Sequence, residues 1–374
     1  MKTILFITSS KMRNGKGTER FIYYLCQGLE NLNLRAVILE NSTSKFNEPD
    51  VKFNMDSNIE IVSVPFRRVL GIYFPPRNEI YKINPDVVYT SFLNTMPFVP
   101  DHKYITIFGM HILHIGHLKY EPKRKNLIFA IKRLILKLIS SISWKNKKII
   151  FHALTDEQAS WINKLTNMKY NCTTIPLLLP CHKNYKITMD YDKFNILFFG
   201  SLSHEKGFDN FLILIEKLNC SSIAEGIKFI VAGGGIMESN LRRYMEKYSN
   251  IDFIKRPDDD VKLNLFSKID LFLYPSLTDV YPTILAETQI FGIPAIASDV
   301  SAPSHIIKEG ETGFFLPLYD LEAFVDKTEE YYFIWKNNIE GYERMKVCIR
   351  DLSKRLCLDH VLPLYIDVFK NILI

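Results

Sequence analysis

The stretch PSLTDVYPTILAETQIFGIPAIASD, residues 275–299, decides the fold. Pro282 suits the first turn of a helix, because the N–H it lacks has no partner there. Gly292 suits the helix end, and Pro294 forbids continuation. One helix is therefore expected over about 283–291, between the apolar runs DLFLYP (270–275) and PAIAS (294–298). Strand, helix, strand at this spacing is the unit of a parallel sheet. In open α/β sheets ligands bind at the carboxyl ends of the strands, where this helix begins. Glu287 lies about one turn into the helix, and Asp279 precedes it by eight residues, in the loop. Two carboxylates beside a helix amino terminus can accept hydrogen bonds from sugar hydroxyls while the exposed amides hold phosphate.

Outward from this stretch the alternation repeats. Towards the amino end of the same half come FNILFFG (194–200), a helix from about Asp209 to Leu218, IKFIVAGGG (227–235), a helix through Leu241 and Met245, and IDFI (251–254). The first half carries TILFIT (3–8), a helix from Thr18 to Leu29, then AVILE (36–40), IEIVSV (59–64), DVVYT (86–90), YITIF (104–108) and KIIFHA (148–153). Continuously apolar strands of this kind are buried on both faces. Both halves are thus expected to be α/β, doubly wound and Rossmann-like. PLLLPCHKNYKITMDYDK (176–193) interrupts the pattern and is the expected linker. The expected domains are 1–185, 186–354 and a closing helix over 355–374 that crosses back to the first.

The chain has 374 residues, enough for two or three domains, and its 47% hydrophobic and 24% charged residues exclude disordered and collagenous classes. Six cysteines without a CxxC pair suggest neither a zinc ribbon nor a disulfide framework, and fit a reducing compartment. The opening MKTILFITSS is expected to be a first strand and not a signal peptide. A net charge of +6 is too mild to imply nucleic acid, but its distribution is uneven. Residues 119–148 hold ten Lys or Arg against Glu121 alone, a local charge of +9, and Leu127, Ile131, Leu134, Ile135, Leu138 and Ile142 recur at helical spacing. Such a helix can lie on an anionic membrane surface; it can equally be a core helix with a solvated basic face. Lys132, Arg133 and Lys137 interrupt it too often for a spanning helix.

Between the first strand and helix lies Gly15-Lys16-Gly17-Thr18-Glu19-Arg20, only partly a dinucleotide fingerprint, since Arg20 takes the third glycine position. GSLSHEKGFDNFL (200–212), VAGGG (231–235) and HIIKEGETGFFL (305–316) complete the pattern. In this order the segments resemble the retaining glycosyltransferases of family 4, the glycogen-synthase-like group with the GT-B fold. Asp279 stands for the first Glu of the E-x7-E signature, and GKGTER is similar to the amino-terminal G-G-x-E-R loop. The resemblance covers about 194–317 strongly and the first half loosely.

The resemblance implies that Lys206 neutralises the donor pyrophosphate, Glu287 binds the nucleotide ribose and Asp279 contacts the transferred sugar. It implies that Gly15 and Gly17, Gly233, Tyr281, Pro282 and Thr283 approach the phosphates or sugar through their backbone. Where the family has an arginine this chain has Ser201, so donor binding is expected either to be weaker or to be completed by another residue such as Arg256. At the place of the family's histidine stands Phe108, and His111 is the best substitute, with His114 and His117 beyond it. Without nearby carboxylates, these read as loop or acceptor-site histidines and not as metal ligands. The implied enzyme is a metal-independent, retaining hexosyltransferase with no cofactor beyond its nucleotide-sugar substrate. Its active site is expected in the cleft between the domains, with a glycan or lipid-linked acceptor on the first. A cytoplasmic place, peripheral on the cytoplasmic face of the membrane, and no nucleic-acid partner complete the expectation. A non-catalytic glycosyltransferase-like partner subunit and a GT-B sugar-nucleotide epimerase remain alternatives.

Overall fold

A computed structural model of the chain describes residues 1–12, 17–29, 32–44, 59–69, 72–91, 101–109, 147–181, 192–279, 281–300 and 303–373. The chain divides into two compact units, Met1–Leu179 with Leu358–Ile374, and Pro180–Cys357.

The first unit is built on seven parallel strands: β1 (Thr3–Thr8), β2 (Arg35–Asn41), β3 (Ile59–Val64), β6 (Val87–Ser91), β7 (Ile105–Gly109), β8 (Ile149–Ala153) and β9 (Asn171–Thr174), in the order β3-β2-β1-β6-β7-β8-β9. A small antiparallel pair, β4 (Arg67–Val69) and β5 (Ile72–Phe74), stands apart from this sheet. All six residues of β1 are buried, as a strand covered on both faces requires. Its helices are α1 (Gly17–Leu29), α2 (Arg77–Ile83), α3 (Asp156–Thr166) and, from the far end of the chain, α10 (Leu358–Leu373). Leu358 N–H donates to the Leu179 carbonyl at 2.7 Å, and Gly28 on α1 leaves the space that Leu362 of α10 fills, since a Cβ there would lie 2.3 Å from Leu362 Cδ1.

The second unit carries six parallel strands, β10 (Phe194–Ser201), β11 (Ile227–Gly234), β12 (Ile251–Lys255), β13 (Leu271–Tyr274), β14 (Ala295–Ser298) and β15 (Gly313–Leu316), ordered β12-β11-β10-β13-β14-β15. Its helices are α4 (Phe208–Asn219), α5 (Glu238–Lys247), α6 (Asp259–Phe266), α7 (Thr283–Ile290), α8 (Leu321–Asn337) and α9 (Ile339–Ser353). Phe198 packs between Phe208 and Phe211 at 5.0 Å each, and Phe194 is ringed by Tyr332, Trp335 and Tyr342. Under α9, Lys346 is buried with Asp270 at 3.7 Å and donates to the Ile269 carbonyl at 2.5 Å. Burial depresses the pKa of that lysine.

In both sheets the chain runs outward one way and then returns to the centre to run outward the other. In the second unit the reversal falls between β10 and β13, which opens a crevice at their carboxyl ends.

Candidate functional site

Position 207 brings the loop after β10 against the loop after β13. Residues His204–Lys206 form a single 3-10 turn closed by Gly207 at φ 66°, and a Cβ on Gly207 would lie 1.7 Å from the Pro275 carbonyl oxygen. Only glycine permits both the left-handed backbone and the approach. Leu277 N–H then donates to the Glu205 carbonyl at 3.1 Å, and Ser276 Oγ at 3.3 Å. The result is that Lys206 Nζ reaches Asp279 Oδ2 at 2.5 Å. The buried Tyr274 hydroxyl, at the end of β13, donates to the same oxygen. Burial and the Asp279 carboxylate hold the Tyr274 phenol far above its usual pKa, so it stays a donor.

Pro282 is the residue just before α7, with φ −73° and ψ 90°, one step outside the first turn where the sequence placed it. Gly292, at φ 79°, ends α7 as expected, with its N–H on the Gln289 carbonyl at 2.9 Å. Glu287, on α7, is paired with Lys262 of α6, Nζ to Oε2 at 2.7 Å, with both side chains only 13% and 15% exposed. Lys262 also lies 3.2 Å from Asp259. The Tyr281 hydroxyl is buried with no hydrogen-bond partner among the described residues, and burial raises its pKa.

Lys206 and Asp279 thus meet where the loops after β10 and β13 come together, and Thr283 opens α7, the helix after β13, which carries Glu287. Ser201 is exposed at the end of β10, register partner of Gly234 on β11. Gly233, at φ 136°, lies where a Cβ would be 1.9 Å from the Gly200 carbonyl oxygen, which explains a glycine at that place near the end of β11. Sequence reasoning missed Tyr274, hidden in an apolar strand, and Lys262, hidden in the solvated pattern DDDVKLNLF.

In the first unit Gly17 opens α1, and Glu19, buried in its first turn, accepts from Thr8 Oγ1 at 3.0 Å, tying the end of β1 to the helix. Gly15, His111, His114, His117 and residues 119–146 of the basic stretch lie outside the described residues. Phe108 is fully buried against Phe151, at 5.7 Å between ring centres, so that position is core. Among the described residues the buried histidine of this unit is His152 on β8, with Tyr89 Oη 2.5 Å from Nδ1 and Tyr365 Oη 2.9 Å from Nε2. Burial pushes its pKa down to about 4, so it is neutral and braces α10.

A free lysine ammonium and uncapped helix amides attract phosphate, and paired carboxylates accept from vicinal hydroxyls. Here Lys206 and Lys262 are each held on a carboxylate. Residues 185–344 match the family model described as "Glycosyl transferases group 1".

That match lies within the second unit, Pro180–Cys357.

An uncharacterized glycosyltransferase of Haemophilus influenzae is 26% identical over 266 residues, 70% of each chain. The chain spans between 49% and 70% of the length of the first curated relatives it matches. Among solved structures, sucrose-phosphate synthase from Thermosynechococcus elongatus superposes with a TM-score of 0.73 at 12% identity, covering 99% of both chains. HepE of Anabaena, in complex with UDP and glucose, gives 0.66 at 12% identity, covering 99% of this chain and 100% of that one. Both units thus share the GT-B glycosyltransferase fold, each Rossmann-like. Among the described residues no helix is long and apolar enough to cross a membrane.

Proposed function

We propose that this protein transfers a hexose from a nucleotide-sugar donor to a glycan or lipid-linked acceptor, with retention of configuration and without a metal. The observation that carries the reading is the pairing of Lys206 with Asp279 where the loops after β10 and β13 meet, together with the Lys262–Glu287 pair on the helix that follows β13, all within the residues that match the group 1 model. The complex of the HepE neighbour with UDP and glucose supports the donor class.

In this reading Glu287 accepts hydroxyl hydrogen bonds from the ribose, and Lys206 leaves Asp279 for the diphosphate. Asp279 is then free for hydroxyls of the transferred sugar. As the bond between the sugar C1 and the phosphate oxygen breaks, negative charge grows on the leaving diphosphate. Lys206 and the amides of Thr283 and its neighbours stabilise that charge more in the transition state than in the ground state. The acceptor hydroxyl bonds to C1 on the face the phosphate leaves, and its proton passes to the departing phosphate oxygen, so the configuration is kept. The amino-terminal unit binds the acceptor, and the basic stretch 119–148 docks on anionic lipid at the cytoplasmic face of the membrane.

The test is incubation of the purified protein with a panel of nucleotide sugars and a lipid extract, with products read by mass spectrometry. One donor is expected to yield a glycosylated lipid. Absence of both transfer and donor hydrolysis with every nucleotide sugar overturns the reading. Sedimentation with anionic but not neutral vesicles, lost when Lys132, Arg133 and Lys137 become Gln, checks the membrane part. At about 1 kcal/mol per cation near the surface, the loss is readily measured. A wild type that ignores anionic vesicles at low salt points to a soluble acceptor.

A further inference from the structure

We infer that Arg256 is the second cation on the donor diphosphate, doing from the end of β12 what Ser201 at the end of β10 cannot. The inference rests on the donor-site reading above, and three observations carry it. Arg256 has φ 46°, a left-handed backbone that a bulky side chain adopts only where the surroundings hold it, and its N–H donates to the Gly233 carbonyl at 2.9 Å. Strain of that kind collects at functional sites.

The side chain lies across the glycine run. A Cβ on Gly234 would sit 3.1 Å from Arg256 Nε and 3.2 Å from its Cγ, so the bare glycine makes room for the arginine. Gly234 is the register partner of Ser201, which places the arginine beside the position that lacks a cation. Finally, the exposed guanidinium has no ion pair or side-chain hydrogen bond among the described residues, although a carboxylate also borders Gly234. That carboxylate, Glu238, is held by Lys255 at 2.8 Å. An unpaired guanidinium over an edge of bare glycine backbone suits a phosphate, whose oxygens it can grip with two parallel N–H donors.

UDP is the probe, titrated by calorimetry into the full-length chain at low and at physiological salt. Arg256→Gly, which removes the cation and relieves the left-handed strain, is expected to weaken UDP binding at least tenfold. Its melting temperature should equal or exceed that of the wild type. Arg256→Gln, which keeps the bulk, should weaken binding similarly, and the salt dependence of binding should become shallower in both. Gly234→Ala, which pushes the arginine aside, should lose affinity without loss of charge. Adding Ser201→Arg to Arg256→Gly should restore most of the affinity. UDP binding within twofold of wild type in both Arg256 variants overturns the inference. Lys206→Ala separates the two levels: if it loses UDP while the Arg256 variants keep it, only this inference falls. If it too binds UDP normally, the donor site itself is misplaced.

Discussion

Replacing Gly207 with alanine tests how the loops after β10 and β13 are assembled. The position has φ 66°, and the added Cβ would sit 1.7 Å from the Pro275 carbonyl oxygen. The left-handed backbone costs an L-residue about 1–2 kcal/mol, and displacing a packed backbone carbonyl adds roughly 1–3 kcal/mol. The lower entropy of unfolded alanine returns up to about 1 kcal/mol of opposite sign, so that the net loss is on the order of 2–4 kcal/mol in the second unit. Gly310 supplies the control: its φ is 76°, yet a Cβ there meets nothing within 4 Å, so Gly310→Ala carries the backbone cost alone. The difference between the two variants isolates the approach of the Lys206 turn to the β13 loop. Chemical denaturation followed by hydrogen exchange within residues 194–357 reads that difference. Sugar transfer should fall by about a hundredfold in Gly207→Ala, because displacing the turn by an ångström moves the Lys206 ammonium off the leaving phosphate. If Gly207→Ala is no less stable than Gly310→Ala and transfers sugar at the wild-type rate, the turn does not approach Pro275 and the assembly described here is wrong.

Lys262→Met removes the partner of Glu287 and should raise the donor KM about tenfold, the worth of a hydrogen bond to a charged group, with Lys262→Arg recovering most of it; an unchanged KM would show that Glu287 needs no partner. Asp270→Ala leaves Lys346 buried without its partner carboxylate, and should cost about 3–5 kcal/mol in denaturation, against a smaller loss in the double variant with Lys346→Met. His152 gives the first unit an acid sensitivity. Its pKa is about 4 folded, against 6.5 for the free side chain, so below pH 6.5 the unfolded chain takes up a proton that the folded one refuses. Stability falls as the pH drops from about 6.5 to 4, by on the order of 3 kcal/mol, and levels off below. The groups facing it, the Tyr89 and Tyr365 hydroxyls and the Phe21 ring, carry no charge over this range. Hydrogen exchange of β8 and α10 at pH 7 and pH 5 should show the loss in wild type and a flatter response in His152→Gln.

Much of the scaffold was legible because parallel strands buried on both faces leave unbroken apolar runs. β1, β10 and β13 fall within a residue or two of the runs at 3–8, 194–200 and 270–275. α7 was legible through its boundaries, Pro282 and Gly292, which act through backbone chemistry and not through neighbours. β9, NCTT, lay beyond reach: it is short, partly exposed and without an aliphatic residue, and only pairing with β8 makes it a strand. The pairing of Lys262 with Glu287 was equally hidden, since it joins two helices whose contact is set by the sheet beneath them. Asp279 was visible as a carboxylate eight residues before Glu287, but not its hold by Tyr274 and Lys206, which depends on the close approach at Gly207. Arg256 was named for its charge alone; its left-handed backbone and its lie across Gly234 are properties of the folded edge.

The central claim is that the carboxyl edge of the second unit holds the nucleotide-sugar donor. Hydrogen exchange read by mass spectrometry, with and without a saturating concentration of the donor that the protein turns over, tests it most directly. Amides of 200–207 and 275–287 should gain protection on binding, and Glu287→Ala should abolish the gain while the free-state exchange of β10 and β13 stays as in wild type. Protection confined to other segments, or a donor-dependent gain that survives in Glu287→Ala, would contradict the account.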